Sequence, residues 1–192
     1  MSLRRLLLHI CCAPDATVPW PVLKSEGYEV KGFFYGNNIH PLSEWQKRSD
    51  AVKKLSSLLD MEAEIAPYSP EAWLSATEGL RGEPEGGARC EACFALQLES
   101  AARFAAEGGF GFVCTTLSIS PHKRPDAINR IGREKAIAAR VEWVDRVWRK
   151  NDGFRLSVTA GREMGLYRQN YCGCAYSERR ASESDGLHER RA

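Results

Sequence analysis

The run Arg5-Leu6-Leu7-Leu8-His9-Ile10-Cys11-Cys12-Ala13-Pro14 sets the architecture. A short, almost continuous apolar stretch that breaks at once into turn chemistry marks a strand buried on both faces, hence a parallel sheet covered by helices. Outward from it the chain alternates. Residues 28–35 read as a second strand ending in Gly36-Asn37-Asn38. Residues 15–25 read as a helix starting near Asp15, in which Pro19 and Pro21 fit only the first turn or an irregular start. Residues 43–59 make an amphipathic helix, with Ser43 as N-cap and Trp45, Ala51, Val52, Leu55, Leu58 and Leu59 as its apolar stripe. A third strand is expected over 61–67, a short helix over 70–78 and a flexible surface loop over the glycine-rich 79–87. The Ala-, Leu- and Glu-rich stretch 88–107 is a helix stopped by Gly108-Gly109. Strand 110–119, helix 125–139, strand 142–145 and helix 153–163 follow, then an irregular Gly-, Tyr- and Cys-rich segment. Residues 1–177 are expected to form one α/β domain and the charged residues 178–192 a tail.

Strands alternating with helices predict an α/β fold with a mostly parallel sheet flanked by helices. Ligands in such sheets bind beyond the carboxyl ends of the strands. Three loops should meet there: Cys11-Cys12 after the first strand, Gly36-Asn37-Asn38 after the second, and Ser118-Ile119-Ser120 after a later one.

Composition removes several classes. With 27 basic and 25 acidic residues the net charge is +2, so contact with nucleic acid must rest on local basic patches. No apolar run approaches the ~20 residues of a membrane span. Leu6 to Ile10 is too short for a signal-peptide core, so a cytoplasmic protein without a membrane partner is expected. Neither a G-x-x-x-x-G-K-[ST] loop nor a G-x-G-x-x-G turn after a strand is present, which speaks against a nucleotide cofactor.

The cysteines carry the chemistry. There are seven, Cys11, Cys12, Cys90, Cys93, Cys114, Cys172 and Cys174, an odd number that argues against a disulfide framework. Six fall in three tight pairs. Cys90 and Cys93 share one face at the start of a long helix, whose N-terminus favours thiolates. Cys11 and Cys12 can serve one centre only where the chain leaves its strand, and Pro14 forces that departure. Four thiolates make a zinc site or an iron–sulfur cluster; a vicinal pair is atypical of zinc ribbons and favours the cluster. Cys172-Gly173-Cys174 reads as a redox-active dithiol or a second ligand set, activated by Arg162, Arg168 and Arg179 if they lie near. Cys114 reads as a core residue. Asp15 either caps a helix or offers an oxygen ligand. His9 and His40 read as hydrogen-bonded structural residues. Two mixed clusters, His122-Lys123-Arg124 with Arg130, Arg133 and Lys135, and Tyr167-Arg168-Gln169 with Tyr171 and Tyr176, suit phosphate contacts and stacking on an unstacked RNA base.

These residues fall into longer blocks. Leu7-Leu8-His9-Ile10-Cys11-Cys12-Ala13-Pro14, Phe33-Phe34-Tyr35-Gly36-Asn37-Asn38-Ile39-His40-Pro41, Cys90-x-x-Cys93, Thr115-Thr116-Leu117-Ser118-Ile119-Ser120-Pro121 and Arg162-Glu163-Met164-x-x-Tyr167-Arg168-Gln169-x-Tyr171-Cys172-Gly173-Cys174-x-Tyr176-Ser177 closely resemble the QueH family of epoxyqueuosine reductases. The resemblance implies reduction of epoxyqueuosine to queuosine at the wobble position of tRNA, with a [4Fe-4S] cluster, no cobalamin and an electron donor it does not name. By position it implies Cys11, Cys12, Cys90 and Cys93 as cluster ligands and Cys172 and Cys174 as the redox pair. Many relatives carry a fifth cysteine where this chain has Asp15, which moves Asp15 toward an additional iron and a catalytic role. Tyr35, Asn38, His40, Ser118, Ser120, Arg162, Tyr167, Arg168 and Tyr171 are the implied substrate contacts, the substrate being the anticodon stem-loop of tRNA. The strand–helix order along the chain resembles the nucleotide α-hydrolase-like (HUP-type) folds of tRNA-thiolating enzymes. The competing reading is a zinc-stabilised thiol-transfer or thiol–disulfide enzyme acting on tRNA.

Overall fold

A computed structural model describes residues 4–177; the tail expected over 178–192, with Arg179, lies outside the described residues. Five strands make one parallel sheet in the order β3-β2-β1-β4-β5. The strands are β1 (Arg4–Ile10), β2 (Tyr28–Phe34), β3 (Ala63–Ile65), β4 (Phe112–Thr115) and β5 (Glu142–Trp143). The central β1 is buried on both faces. Leu6, Leu8 and Ile10 enter one core while Leu7 enters the other.

Helices cover both faces. On the first lie α1 (Ala13–Ala16), α2 (Pro19–Ser25) and α3 (Leu42–Leu59), which bring Trp20, Leu23, Val52 and Leu55 to the core. The second face holds α5 (Ala88–Glu107) and α6 (Pro125–Ala138), through Ala101, Ala105, Phe94, Leu98, Ile128 and Ile131. The short α4 (Glu71–Thr77) packs beside α5, and α7 (Gly153–Glu163) beside α1. Among the described residues, no helix is long and apolar enough to cross a membrane.

Several expected elements change at their ends. The helix expected over 15–25 is two helices, because Pro19 and Pro21 occupy the first turn of a new one. Helix α3 starts at Leu42 behind Pro41, so Ser43 is inside it and is not its N-cap, and Leu58 is 54% exposed rather than part of the stripe. Strand 110–119 stops at Thr115, where the Thr115 hydroxyl accepts the Leu117 N–H and bends the chain into a 3-10 turn over Leu117–Ile119. Strands 61–67 and 142–145 shorten to three and two residues.

Gly132 of α6 tests the packing of β5. A Cβ there would meet the Trp143 ring at 2.3 Å, and the Trp143 Nε1–H is held by Asn129. Gly132→Ala gains ~1 kcal/mol of helix propensity. Overpacking costs about 1–3 kcal/mol, more for so close a collision. The expected result is a net loss of stability, read as a lower urea midpoint.

Candidate functional site

The sheet reverses its winding at β1, so its carboxyl end is the topological switch point where α/β proteins place ligands. A cavity of about 70 Å³ lies there, lined by Cys11, Cys90, Cys93, Cys172 and Cys174 together with Asn38, Trp73, Lys123 and Gln169. One water needs roughly 10–15 Å³ of such space, so the cavity suits a compact group of several atoms.

Two groups of thiols stand out. The ligand atoms of Cys11, Cys12 and Asp15 all lie within 4.8 Å of one another. Cys12 holds the extended position before α1, which puts Asp15 in the first turn and not at the cap. The Cys11 thiol donates to Asp15 Oδ2 at 3.2 Å, and the Thr116 hydroxyl donates to Cys11 Sγ at 3.3 Å. A hydrogen bond from the Cys12 thiol holds Cys11 below the ordinary thiol range against burial and the Asp15 charge. The same bond, with burial, pushes Cys12 well up. Gln169 adds a side-chain hydrogen bond to Cys12.

The second group comes from α5 and the C-terminal segment. Cys93, Cys172 and Cys174 pack with Trp73, and Cys90 senses the charge of Cys172. Gly86 N–H donates to Cys90 Sγ at 3.2 Å, and Gln97 Nε2 donates to Cys93 Sγ at 3.1 Å. Burial pushes the Cys93 thiol up to about 12 and raises Cys90 and Cys174. Left alone, these thiols stay protonated at neutral pH. A bound cation reverses that preference, since a coordinating thiol gives up its proton. Buried soft donors, N–H groups aimed at sulfur and a compact cavity together fit a soft metal centre.

Other expected residues are distributed unevenly. Asn38 lines the cavity. Tyr35 is buried in the α5-side core, where burial pushes its hydroxyl up to about 12, and Ser118 is fully buried with its hydroxyl on the Trp148 N–H. Neither lines the cavity. Ser120 accepts the His122 N–H. His40 reaches the C-terminal segment through its backbone, and its Nδ1 meets the Tyr68 hydroxyl at 3.3 Å. Arg162, Arg168 and Tyr167 are exposed. The arginines at the C-terminal cysteines are Arg48 and Arg89 instead of Arg162 and Arg168. Cys114 is in the core, and burial pushes the His9 imidazole down to about 3 while Thr115 Oγ1 holds its Nδ1 at 2.8 Å.

Sequence reading missed Arg48, Arg89, Trp73 and Gln97. The signal for Arg48 is its phase, three residues after Trp45 and four before Val52 on the buried stripe of α3. Arg89, Cys93 and Gln97 repeat every four residues along α5, polar side chains on its buried face. Lys123 faces both thiol groups. Burial opposes its charge, but Cys11, Cys172, Asp15 and Cys12 outweigh burial and raise it.

Asp15→Asn removes a negative charge that holds the Cys11 and Cys12 thiols up. In metal-free protein, the pH midpoint for alkylation of this pair should move down, because a nearby negative charge no longer opposes the thiolate. Site-resolved labelling with iodoacetamide across pH reads the shift.

The geometry has relatives. The family model described as "Epoxyqueuosine reductase QueH" matches residues 6–180. The chain is 34% identical to epoxyqueuosine reductase QueH of Streptococcus pyogenes serotype M1, over 90% of this chain and 69% of that protein. It is 36% identical to epoxyqueuosine reductase QueH of Thermotoga maritima, over 94% of each. Among solved structures, the U34-tRNA thiolase NcsA from Methanococcus maripaludis with its [4Fe-4S] cluster matches with a TM-score of 0.60 at 11% identity, over 99% of this chain and 68% of that one. A predicted subunit of tRNA methyltransferase from Methanocaldococcus jannaschii matches with a TM-score of 0.55 at 11% identity, over 81% and 75%. Those two likenesses speak for the α/β fold alone. The family model and the two relatives, by contrast, span the sheet and both thiol groups, and the chain belongs to the QueH family.

Proposed function

We propose that this chain reduces epoxyqueuosine to queuosine at the wobble position of tRNA, using the cysteine-lined cavity beyond β1. The observation that carries the reading is the convergence on one cavity of cysteines from three distant parts of a QueH-family chain. Taking the oxygen out of an epoxide consumes two electrons and two protons and leaves an alkene and water. The electrons must come from an external reductant.

The packing of Cys93, Cys172 and Cys174 around Trp73 with Cys90 nearby supports giving these four to a [4Fe-4S] cluster, and the closeness of Cys11, Cys12 and Asp15 supports giving those three to an additional iron. This differs from the division by resemblance, which gave the cluster Cys11 and Cys12 and left Cys172 and Cys174 as a dithiol. When bound, the cluster supplies electrons singly and a carboxylate-ligated iron supplies a Lewis acid for oxygen. The chain's own residues do the rest. Gly86 N–H and the Gln97 amide steady the sulfurs of Cys90 and Cys93. Trp73 and Phe94 form an apolar wall that keeps water out. The Lys123 ammonium holds a proton at Nζ beside Cys11 and Asp15, where negative charge would develop on the departing oxygen. At the rim, Asn38 and Gln169 offer hydrogen bonds to a base, and exposed Tyr167, Arg162 and Arg168 offer stacking and phosphate contacts.

Metal analysis and turnover test this together. Protein purified and reconstituted without oxygen should be brown and bleach with dithionite, with about four irons and four sulfides per chain plus about one sulfide-free iron. Cys93→Ala should lose the colour. Asp15→Asn should keep the sulfide and lose the extra iron. Both should lose conversion of epoxyqueuosine-bearing tRNA, measured by nucleoside mass spectrometry. A colourless protein with one tight zinc would overturn the reading in favour of thiol transfer.

A further inference from the structure

Helix α3 carries an arginine where its apolar stripe should continue. Arg48 is 2% exposed and turns its guanidinium to the C-terminal cysteine segment. Its Nε donates to Glu44 Oε1 at 2.7 Å, Nη1 to the Cys172 carbonyl at 3.0 Å and Nη2 to the Tyr171 carbonyl at 3.1 Å. The second oxygen of Glu44 accepts the Tyr167 hydroxyl at 2.8 Å. The Tyr171 hydroxyl donates to the His40 carbonyl, and the His40 N–H donates to the Gly173 carbonyl at 2.8 Å. Between Leu166 and Cys174 the backbone has no helix or strand to set its path. These bonds, all but the last from side chains, set it instead.

The fit is close from both sides. Gly173 has φ +96°, and a Cβ there would meet Arg48 Nη1 at 2.9 Å. A buried ion pair is weak support for stability, since apolar side chains of similar volume often do as well or better. Fixing geometry is a better account of this one. The planar fork of an arginine can hold two successive carbonyls at once, which a lysine ammonium cannot do in the same geometry.

We propose that Arg48 is a positioning residue: gripped by Glu44, it straps the Cys172-Gly173-Cys174 segment over the cavity so that both thiols stand in register with Cys93. The inference rests on the proposed use of these thiols in the cavity, but its test needs no turnover.

The test is pulse labelling with iodoacetamide on the full chain, purified without oxygen, before and after reconstitution, with each cysteine followed by peptide mass spectrometry. Arg48→Lys should raise the labelling rates of Cys172 and Cys174 by about tenfold or more, as expected when charged hydrogen bonds that hold a local segment closed are lost. Cys114, deep in the core, should label at the wild-type rate. Gly173→Ala, which pushes the strap off the guanidinium, should give the same signature. Wild-type rates at Cys172 and Cys174 in Arg48→Lys would overturn the proposal, because lysine would then suffice. So would a parallel rise at Cys114, which would make Arg48 a support of the fold as a whole. If Arg48→Lys does not fold, Gly173→Ala decides alone, and unchanged rates there overturn it. A strap that behaves as proposed in a protein with no epoxide-reducing activity would sink the proposed function and leave the strap standing.

Discussion

Successive side chains of a strand point to opposite faces, so two neighbouring cysteines can share a centre only where a strand ends. Pairing of β1 with β4 ends at His9 opposite Thr115, and with β2 at Ile10 opposite Phe34. Immediately beyond, the Cys11 N–H turns to the Thr116 hydroxyl, and Ala13 opens a helix. Cys11, Cys12 and Asp15 converge because the sheet lets go at that residue and not one later. His9 secures the level from below, as a neutral buried imidazole bonded to Thr115 whose hydroxyl also takes the Leu117 N–H. The same threonine therefore ties β1 to β4 and bends the chain after β4 into the cavity wall.

Much of this was legible in the sequence, for identifiable reasons. The strand before Cys11, the helix over Ala88–Glu107 and the helix over Gly153–Glu163 announce themselves through apolar runs and glycine stops that local physics enforces. The break between α1 and α2 was not read: one helix was expected over 15–25, although Pro19 and Pro21 suit only a first turn or an irregular start, and the structure gives them a first turn of their own. Strand 110–119 failed because its second half is as apolar as its first, and only the Thr115 side chain, by accepting a local N–H, ends it. That Asp15 could join Cys11 and Cys12 was legible from its place four residues on, whereas that Cys172 and Cys174 lie with Cys93 was beyond spacing, since it depends on where α5 and the C-terminal segment sit across the cavity.

The second thiol group is flanked by two buried arginines that sequence pattern had hidden. Burial favours the protonated form of Cys90, Cys93 and Cys174 until a cation arrives. Arg89, 3% exposed, spends its guanidinium on the carbonyls of Arg81 and Glu83 and so shapes the loop that offers the Gly86 N–H to Cys90. Arg48 does the corresponding work on the opposite wall. Each arginine lies on the buried face of its helix, and each organises backbone rather than touching a sulfur. An arginine in an apolar phase is thus the mark of a loop that has to be held.

The size of the cavity separates floor from rim. About 70 Å³ is room for a small inorganic group. A nucleoside is much larger and would meet the cavity from its rim. The floor is built from a strand end and a long helix, elements whose sulfurs cannot shift without disturbing the core. The rim is built from the turn after β2, the turn after β4 and the strapped segment, which yield more easily because side-chain bonds rather than ladders hold them. A rigid floor fixes the reacting groups, and an adjustable rim admits a large substrate to them. That division requires the one piece that belongs to both, the segment carrying Cys172 and Cys174, to be tied to α3 instead of left to fray.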